Sequence, residues 1–506
     1  MTLLLDEIDV LETSGDPSDV DVLGVEHDSR RVSPGDLYCC LPGSRTDGHA
    51  HAAEAVERGA VAIVCERPVP GPLARPVVQV RVAPGGARPA MARLAAAYWG
   101  HPASSLVVVG VTGTNGKTTV SHLVGAVAAH AGRPVSVMGT LSGARTTAEA
   151  TELQPALAAV RDAHREGPVP VVSMEVTSHA LVQSRVDGIR FDVAVFTNLS
   201  HDHLDFHGSM EQYYRAKVAL FDPQRSARAV VYVGDEWGRR LVEEVRIPAV
   251  AVCDDHATSV RLEPGRSTFV WRGEEVALRL TGRVNVRNAL LAAETGVALG
   301  LPPEVVAAGL ASADPVPGRL EAVPVPPGGP YAVLVDYAHT PAALDEVLAE
   351  ARRLAEPARG RVVVVFGCGG DRDRAKRPQM GAVATRSADV AIVTTDNPRR
   401  EDPARIVDEV VAGADPCAPA PIVELDRRAA IERALADARP GDVVVVAGKG
   451  HEAYQELSDR TVPFEDRRVV AETLSALSAP APTSAPAPAA GPAATHPPAA
   501  GPPPGR

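Results

Sequence analysis

Long aliphatic runs separated by mixed, amphipathic stretches dominate the middle and end of the chain. LVVVGVTG (106–113), PVVSMEV (170–176) and DVAVFTNL (192–199) are almost uninterrupted apolar segments. Segments of that length, ended by glycine or by polar residues, read as strands buried on both faces. Helical patterning intervenes at 118–131 and 209–221. A second series follows: AVLVDY (332–337), RVVVVFG (361–367), DVAIVTTD (389–396) and DVVVVAG (442–448), with the helical stretch PAALDEVLAEARRLAE (341–356) among them. Alternating strands and helices predict an α/β protein with mainly parallel, doubly wound sheets. Between the two series, residues 259–282 alternate apolar and polar and turn at glycines, which predicts a few antiparallel strands.

Nearer the start, GDLYCCLPG (35–43) reads as a strand and turn, HAAEAVERGA (51–60) as a short helix and VAIVCE (61–66) as a strand. Proline and glycine crowd residues 67–89 and mark a boundary. The expected blocks are therefore 1–92, 93–314 and 315–475. Residues 476–506 are Pro/Ala/Gly repetition without a core-forming pattern, and a disordered tail is expected.

Composition narrows the function. The net charge of −12 argues against a general nucleic-acid binder. Six scattered cysteines, with no CxxC pair, fit a reduced compartment. The acidic start MTLLLDEIDVLE lacks the basic region of a signal peptide, and no apolar run approaches membrane-span length. A cytoplasmic protein is expected.

The chemistry is concentrated at strand ends. In GTNGKTT, Gly113 and Gly116 free backbone N–H groups to face phosphate, Lys117 brings charge and Thr118 a hydroxyl suited to Mg²⁺. Gly110 lies one residue too early for the strict GxxxxGK[ST] pattern. Glu175 ends one buried strand. His201, Asp202, His203, Asp205 and His207 follow the next, where a metal bridging nucleotide and substrate would find oxygen and nitrogen ligands. Zinc is disfavoured, since no closed Cys/His set is present. Lys217, read alone, is a surface lysine on an amphipathic helix.

These stretches together resemble the Mur ligase family, ATP-dependent amide-forming enzymes of peptidoglycan synthesis. The shared strings are GVTGTNGKTT, MEVTSHAL, NLSHDHLDFHGSMEQYYRAKVALF, GRVNVRNALLAA, PGRLE, DYAHTP, GCGGDRDRAKRP, DNPRREDP and GKGHE. They follow the family's order. The resemblance implies a small N-terminal αβ UDP-binding domain, a central P-loop ATPase with a parallel sheet, and a C-terminal Rossmann-like domain that binds the incoming amino acid.

Within the family, the strings are most similar to members that add a diaminopimelate to UDP-N-acetylmuramoyl-L-alanyl-D-glutamate. The resemblance implies an ATP site of Gly113, Thr114, Asn115, Gly116, Lys117, Thr118, Thr119, Asn288, Arg319, Asp336 and His339. It implies catalytic and Mg²⁺-binding roles around Lys117, Thr118, Glu175, His203 and Lys217, the last carbamylated. Ser29, Arg30, Thr146, Thr147, Ser178 and Arg185 match the UDP-muramoyl-dipeptide contacts. Ala148 departs from the proline common after the paired threonines. Arg377, Asp396, Asn397, Arg399, Gly448 and Glu452 match the diaminopimelate contacts. Lysine-adding relatives usually lack the arginine of DNPR. The physical reason is that a guanidinium fork grips the distal carboxylate that lysine does not have.

The expected partners are therefore ATP, Mg²⁺, the UDP-muramoyl dipeptide and diaminopimelate, with the protein a monomer. Two rivals remain at this stage. One is a sister ligase that adds lysine, D-Ala-D-Ala or glutamate to folate. The other is a non-catalytic relative that only binds the UDP-muramoyl peptide.

Overall fold

The aliphatic runs become the strands that hold the molecule together, because each can satisfy its backbone only beside another strand once its side chains are buried. The computed structural model describes residues 1–43, 46–326 and 331–478. The expected tail falls almost wholly outside the described residues. Its first three positions, 476–478, are the end of the helix Asp466–Ser478.

The N-terminal sheet has five strands, in the order Glu12–Ser14, Val78–Arg81, Ala62–Cys65, Asp36–Cys39 and Gly24–Glu26. Only the first runs antiparallel to its neighbour. The expected short helix is Ala52–Arg58, and Gly59 ends it with φ +116°, a left-handed cap that favours glycine.

The central sheet has six strands, all parallel. Their order is Ala249–Val252, Ala229–Tyr232, Val193–Phe196, Val107–Thr112, Val171–Glu175 and Val135–Met138. The chain winds to both sides of Val107–Thr112, so the end of that strand is a point where the winding direction reverses. Open parallel sheets bind ligands at such points. Helix Lys117–His130 follows at once and buries Val120, Leu123, Val124 and Val127 among helices Arg283–Ala298 and Pro303–Ser312. The alternating segment forms three antiparallel strands, Thr258–Glu263, Arg266–Trp271 and Glu274–Leu278, packed on the same core.

The third sheet orders its strands Glu321–Val323, Ala332–Asp336, Val443–Ala447, Val362–Phe366, Val390–Val393 and Ile422–Val423. All are parallel except the first. Tyr454–Glu456 and Thr461–Pro463 add a small antiparallel ribbon. No helix among the described residues is long and apolar enough to cross a membrane.

Candidate active site

The loop after Val107–Thr112 is shaped by two glycines. Gly113 has φ +147°, and a Cβ there would lie 1.8 Å from Thr197 Oγ1. Gly116 has φ +85°, and a Cβ there would lie 2.6 Å from Asn288 Oδ1. Both positions are closed to other residues. The loop is pinned from the neighbouring strand end: Thr114 N donates to Asn198 O at 2.9 Å and Asn115 N to Asn198 Oδ1 at 3.0 Å. Lys117 folds back over it, donating from Nζ to the Gly113 and Thr114 carbonyls at 3.0 and 2.8 Å. Burial pushes its pKa down.

Beside the loop, Thr118 Oγ1 donates to Glu175 Oε2 at 3.0 Å, and Glu175 Oε1 accepts from Thr140 N at 2.8 Å. The third block reaches in from the opposite side. Arg319 Nη2 donates to Thr118 Oγ1 at 3.2 Å, and the guanidinium lies 4.6 Å from the Tyr337 ring centre. Asp336 accepts from the backbone N–H groups of Leu320 and Ala338 at 2.6 and 2.7 Å. Burial raises its pKa, and Arg319 opposes that shift. His339 is lowered by burial and holds its Nδ1 2.9 Å from Tyr337 O. One cavity of about 270 Å³ is lined by these residues with Thr114, Asn115, Gly116, Thr119, Thr146, His203 and Asn288. Every residue expected at the nucleotide except Gly113 lines it.

The expected metal set is only partly drawn together. Thr118 and Glu175 touch, and His203 lines the same cavity with Asp202. His203 adopts φ +52° and is lowered mainly by partial burial. No cluster of three or more His, Cys, Asp or Glu side chains suited to a metal occurs among the described residues. Lys217 lies behind the loop. It is buried, not a surface residue: Nζ donates to Gly113 O at 2.7 Å and stands 4.5 Å from the Tyr213 ring centre. The plain surface reading of this lysine is thus corrected, because Tyr213 and the loop enclose the inner face of its helix. Burial, and then the nearby charge of Lys117, push its pKa well down.

The residues expected for the UDP-muramoyl dipeptide form a band from the first block to the cavity. Arg30 is exposed and forks onto Asp28, holding that carboxyl down at about 2. Ser29 donates to Glu54 at 2.9 Å. Arg31 pairs with Glu152 across to helix Ala150–Ala163, which joins this block to the central one. Thr147 donates to Glu175 O at 2.9 Å, and Thr146 lies 3.1 Å from Thr140. Arg185 donates to Thr147 O at 2.9 Å and pairs with Glu149 at 2.9 Å. Ser178 lies 2.9 Å from His207 Nε2. Glu175 therefore links the loop's Thr118 to the paired threonines.

At the ends of the third sheet, Asp396, Asn397 and Arg399 form one turn beside Gly448 and Glu452. Gly448 has φ +114°, and a Cβ there would approach Asp396 Oδ2 to 2.7 Å. Asn397 donates to Glu452 at 2.8 Å. Arg377 is enclosed, and its guanidinium is held by Glu401 at 2.8 and 2.9 Å and by Glu409 at 2.8 Å, which raise its pKa. Sequence reasoning passed over Lys449. It is fully buried and bridges Asn397 Oδ1 at 3.1 Å and Glu452 Oε2 at 2.9 Å. Its place inside GKGHE was the available signal. Arg427 and Asp466 were also passed over. They form a fully buried pair at 2.7 Å, and Arg427 donates to Ala447 O at 3.0 Å, bracing the strand end that leads into Gly448.

Three family models match the chain: "Mur ligase family, catalytic domain" over residues 21–99, "Mur ligase middle domain" over 111–296 and "Mur ligase, glutamate ligase domain" over 318–450. A UDP-N-acetylmuramoyl-L-alanyl-D-glutamate–2,6-diaminopimelate ligase of Streptomyces avermitilis is 44% identical over 484 residues, covering 90% of this chain and 93% of that protein. The ligase of the same name from Solibacter usitatus is 44% identical over 478 residues, covering 90% and 94%. A solved structure of a ligase of this name superposes with a TM-score of 0.61 at 30% identity, covering 90% and 95%. The chain belongs to the Mur ligase family.

Proposed function

We propose that this protein is an ATP-dependent ligase that joins 2,6-diaminopimelate to the D-glutamate γ-carboxylate of UDP-N-acetylmuramoyl-L-alanyl-D-glutamate. The reaction serves peptidoglycan precursor synthesis in the cytoplasm. The observation that carries the reading is the cavity itself, with the glycine loop and Lys117 on one wall and Arg319, Asp336 and His339 of the third block on the other.

ATP lies along the loop, with its base towards Asn288 and its phosphates at the start of helix Lys117–His130. Lys117 exchanges the Gly113 and Thr114 carbonyls for the β- and γ-phosphates. Arg319 turns its free donors to the same phosphates. The γ-carboxylate of the acceptor attacks the γ-phosphorus, the bond to ADP breaks, and an acyl phosphate forms. The amine of diaminopimelate then attacks the acyl carbonyl, loses a proton, and phosphate departs. Attack by an anion on a polyanion is slow without neutralising charge, and preorganised cations lower that barrier by several kcal/mol, of order 3–4 for one strong contact.

The oxygen donors Thr118 and Glu175 fit Mg²⁺, a hard ion that takes few protein ligands beside phosphate and water. With His203 and Lys217 as its carbamate, they would hold Mg²⁺, which would neutralise phosphate charge. Lys217 as an ammonium cannot ligate a cation. Burial lowers the pKa of its amine, which favours the neutral form that adds CO₂.

The first block (1–92) takes the uridine end through Ser29 and Arg30. Thr146, Thr147, Ser178 and Arg185 hold the muramoyl dipeptide. Arg399 receives the distal carboxylate of diaminopimelate and Asp396 an ammonium group. Asn397, Gly448 and Glu452 shape the pocket, and Arg377 steadies it through Glu401 and Glu409. Closure of the third block on the second excludes water from the acyl phosphate.

The test is a purified-enzyme assay with ATP, the UDP-muramoyl dipeptide and, in parallel, meso-diaminopimelate, LL-diaminopimelate or L-lysine. ADP release and tripeptide formation are expected with a diaminopimelate. Equal rates with lysine would remove the specificity assignment, and no ADP with any amine would remove the whole reading.

A further inference from the structure

Arg399 stands in the left-handed region, at φ +51°, and is strapped there by the ribbon that follows GKGHE. Its backbone N–H donates to Glu456 O at 3.1 Å. Its Nε donates to Glu456 Oε2 at 2.8 Å, and its Nη1 to Gly370 O at 2.8 Å. Gln455 donates to Asp396 O at 2.7 Å, and Glu456 N to Asn397 Oδ1 at 2.9 Å. The turn assigned to the amino-acid substrate therefore already carries a carboxylate of the protein on its guanidinium. The Arg399 side chain is 20% exposed and that of Glu456 43%, so the carboxylate can shift towards water while the arginine stays in place.

We infer that Glu456 is a resident carboxylate on the substrate-reading arginine, and that it weakens the enzyme's rejection of lysine. The inference rests on the assignment of Arg399 to the distal carboxylate of diaminopimelate. When diaminopimelate binds, its carboxylate must displace Glu456 from the guanidinium or share the guanidinium with it against like-charge repulsion. Both raise KM. When lysine binds, no substrate carboxylate arrives. Glu456 then keeps the guanidinium paired, removing the penalty for a partly buried unpaired charge on which such discrimination depends. Both effects push in one direction: this carboxylate narrows the gap between the two amines. Glu456 acts through Arg399 and is a positioning residue.

The experiment compares wild type, Glu456→Gln, Glu456→Asp and Arg399→Gln as full-length protein with meso-diaminopimelate and L-lysine. Where lysine turnover is too slow to follow, its inhibition constant against meso-diaminopimelate replaces its KM. For Glu456→Gln we expect a lower KM for meso-diaminopimelate, weaker lysine binding, and a preference for diaminopimelate that rises about tenfold, the size of one charge-assisted contact. Glu456→Asp keeps the charge and should stay nearer the wild-type preference. An unchanged or reduced preference in Glu456→Gln overturns the inference. Arg399→Gln separates the two layers. If it leaves KM for meso-diaminopimelate unaltered, the assignment of Arg399 itself has failed. If it raises that KM while Glu456→Gln changes nothing, only the role of Glu456 is lost.

Discussion

Glu350, on the third-block helix Pro341–Ala355, accepts a 2.9 Å hydrogen bond from the backbone N–H of Arg283, at the start of the central-block helix that carries Asn288. One turn along both helices, Glu346 pairs with Arg287 at 3.2 Å. Two helices from different blocks are thus clasped at successive turns, beside the wall of the cavity proposed for the nucleotide. Glu350 is buried, so Glu350→Ala leaves an orphaned N–H at a helix start. Loss of such a cap costs about 1–2 kcal/mol. Thermal unfolding should show the third block melting earlier, and KM for ATP should rise because Asn288 sits on the released helix.

Removal of the Lys117 charge should be far more costly to rate than to folding. Its amine rests on loop carbonyls and has no carboxylate partner within hydrogen-bond distance among the described residues. Lys117→Ala should depress ADP formation at least ~10²-fold, the scale of a lost transition-state contact. Wild-type turnover in that variant would contradict the central assignment.

The carbamate proposed on Lys217 is directly measurable. Protein equilibrated with ¹³C-labelled bicarbonate should give one carbamate carbon signal that is missing from Lys217→Met. Acid treatment should erase it, because the carbamate releases CO₂ on protonation. Activity should fall in bicarbonate-depleted buffer and return on re-addition.

His451 gives a pH dependence with a definite sign. Burial, then the charge of Arg319, hold its pKa at about 4 against an ordinary 6.5. Between those values the unfolded chain binds more protons than the folded one at this site, so stability falls as pH drops from about 6.5 to 4. The Nδ1 atom is buried and has no hydrogen-bond partner among the described residues, which leaves a proton there uncompensated. His451→Gln should flatten the urea-unfolding midpoint against pH in that window. An identical slope in the variant would count against the argument.

Much of this protein is legible in its sequence. Burial on both faces forces a parallel strand to be apolar throughout, so Val107–Thr112, Val193–Phe196, Val362–Phe366 and Val443–Ala447 announce themselves. The glycines of the loop were legible as a string because positive φ favours glycine locally, whereas the contacts with Thr197 and Asn288 that also exclude a Cβ are tertiary. Lys217 was less legible from its own helix, since periodicity does not reveal what a distant loop covers.

Composition and pattern along the chain therefore determined the strands, the phosphate loop and, through ordered motifs, the family. Only the folded arrangement decided which distant residues share a surface: Arg319 against Thr118, Arg377 enclosed by Glu401 and Glu409, Lys449 between Asn397 and Glu452, Glu456 upon Arg399. The reason is physical. Backbone preference and hydrophobic period act over a few neighbouring residues, whereas a hydrogen bond spanning 201 positions or an ion pair spanning 57 exists only after the sheets have packed.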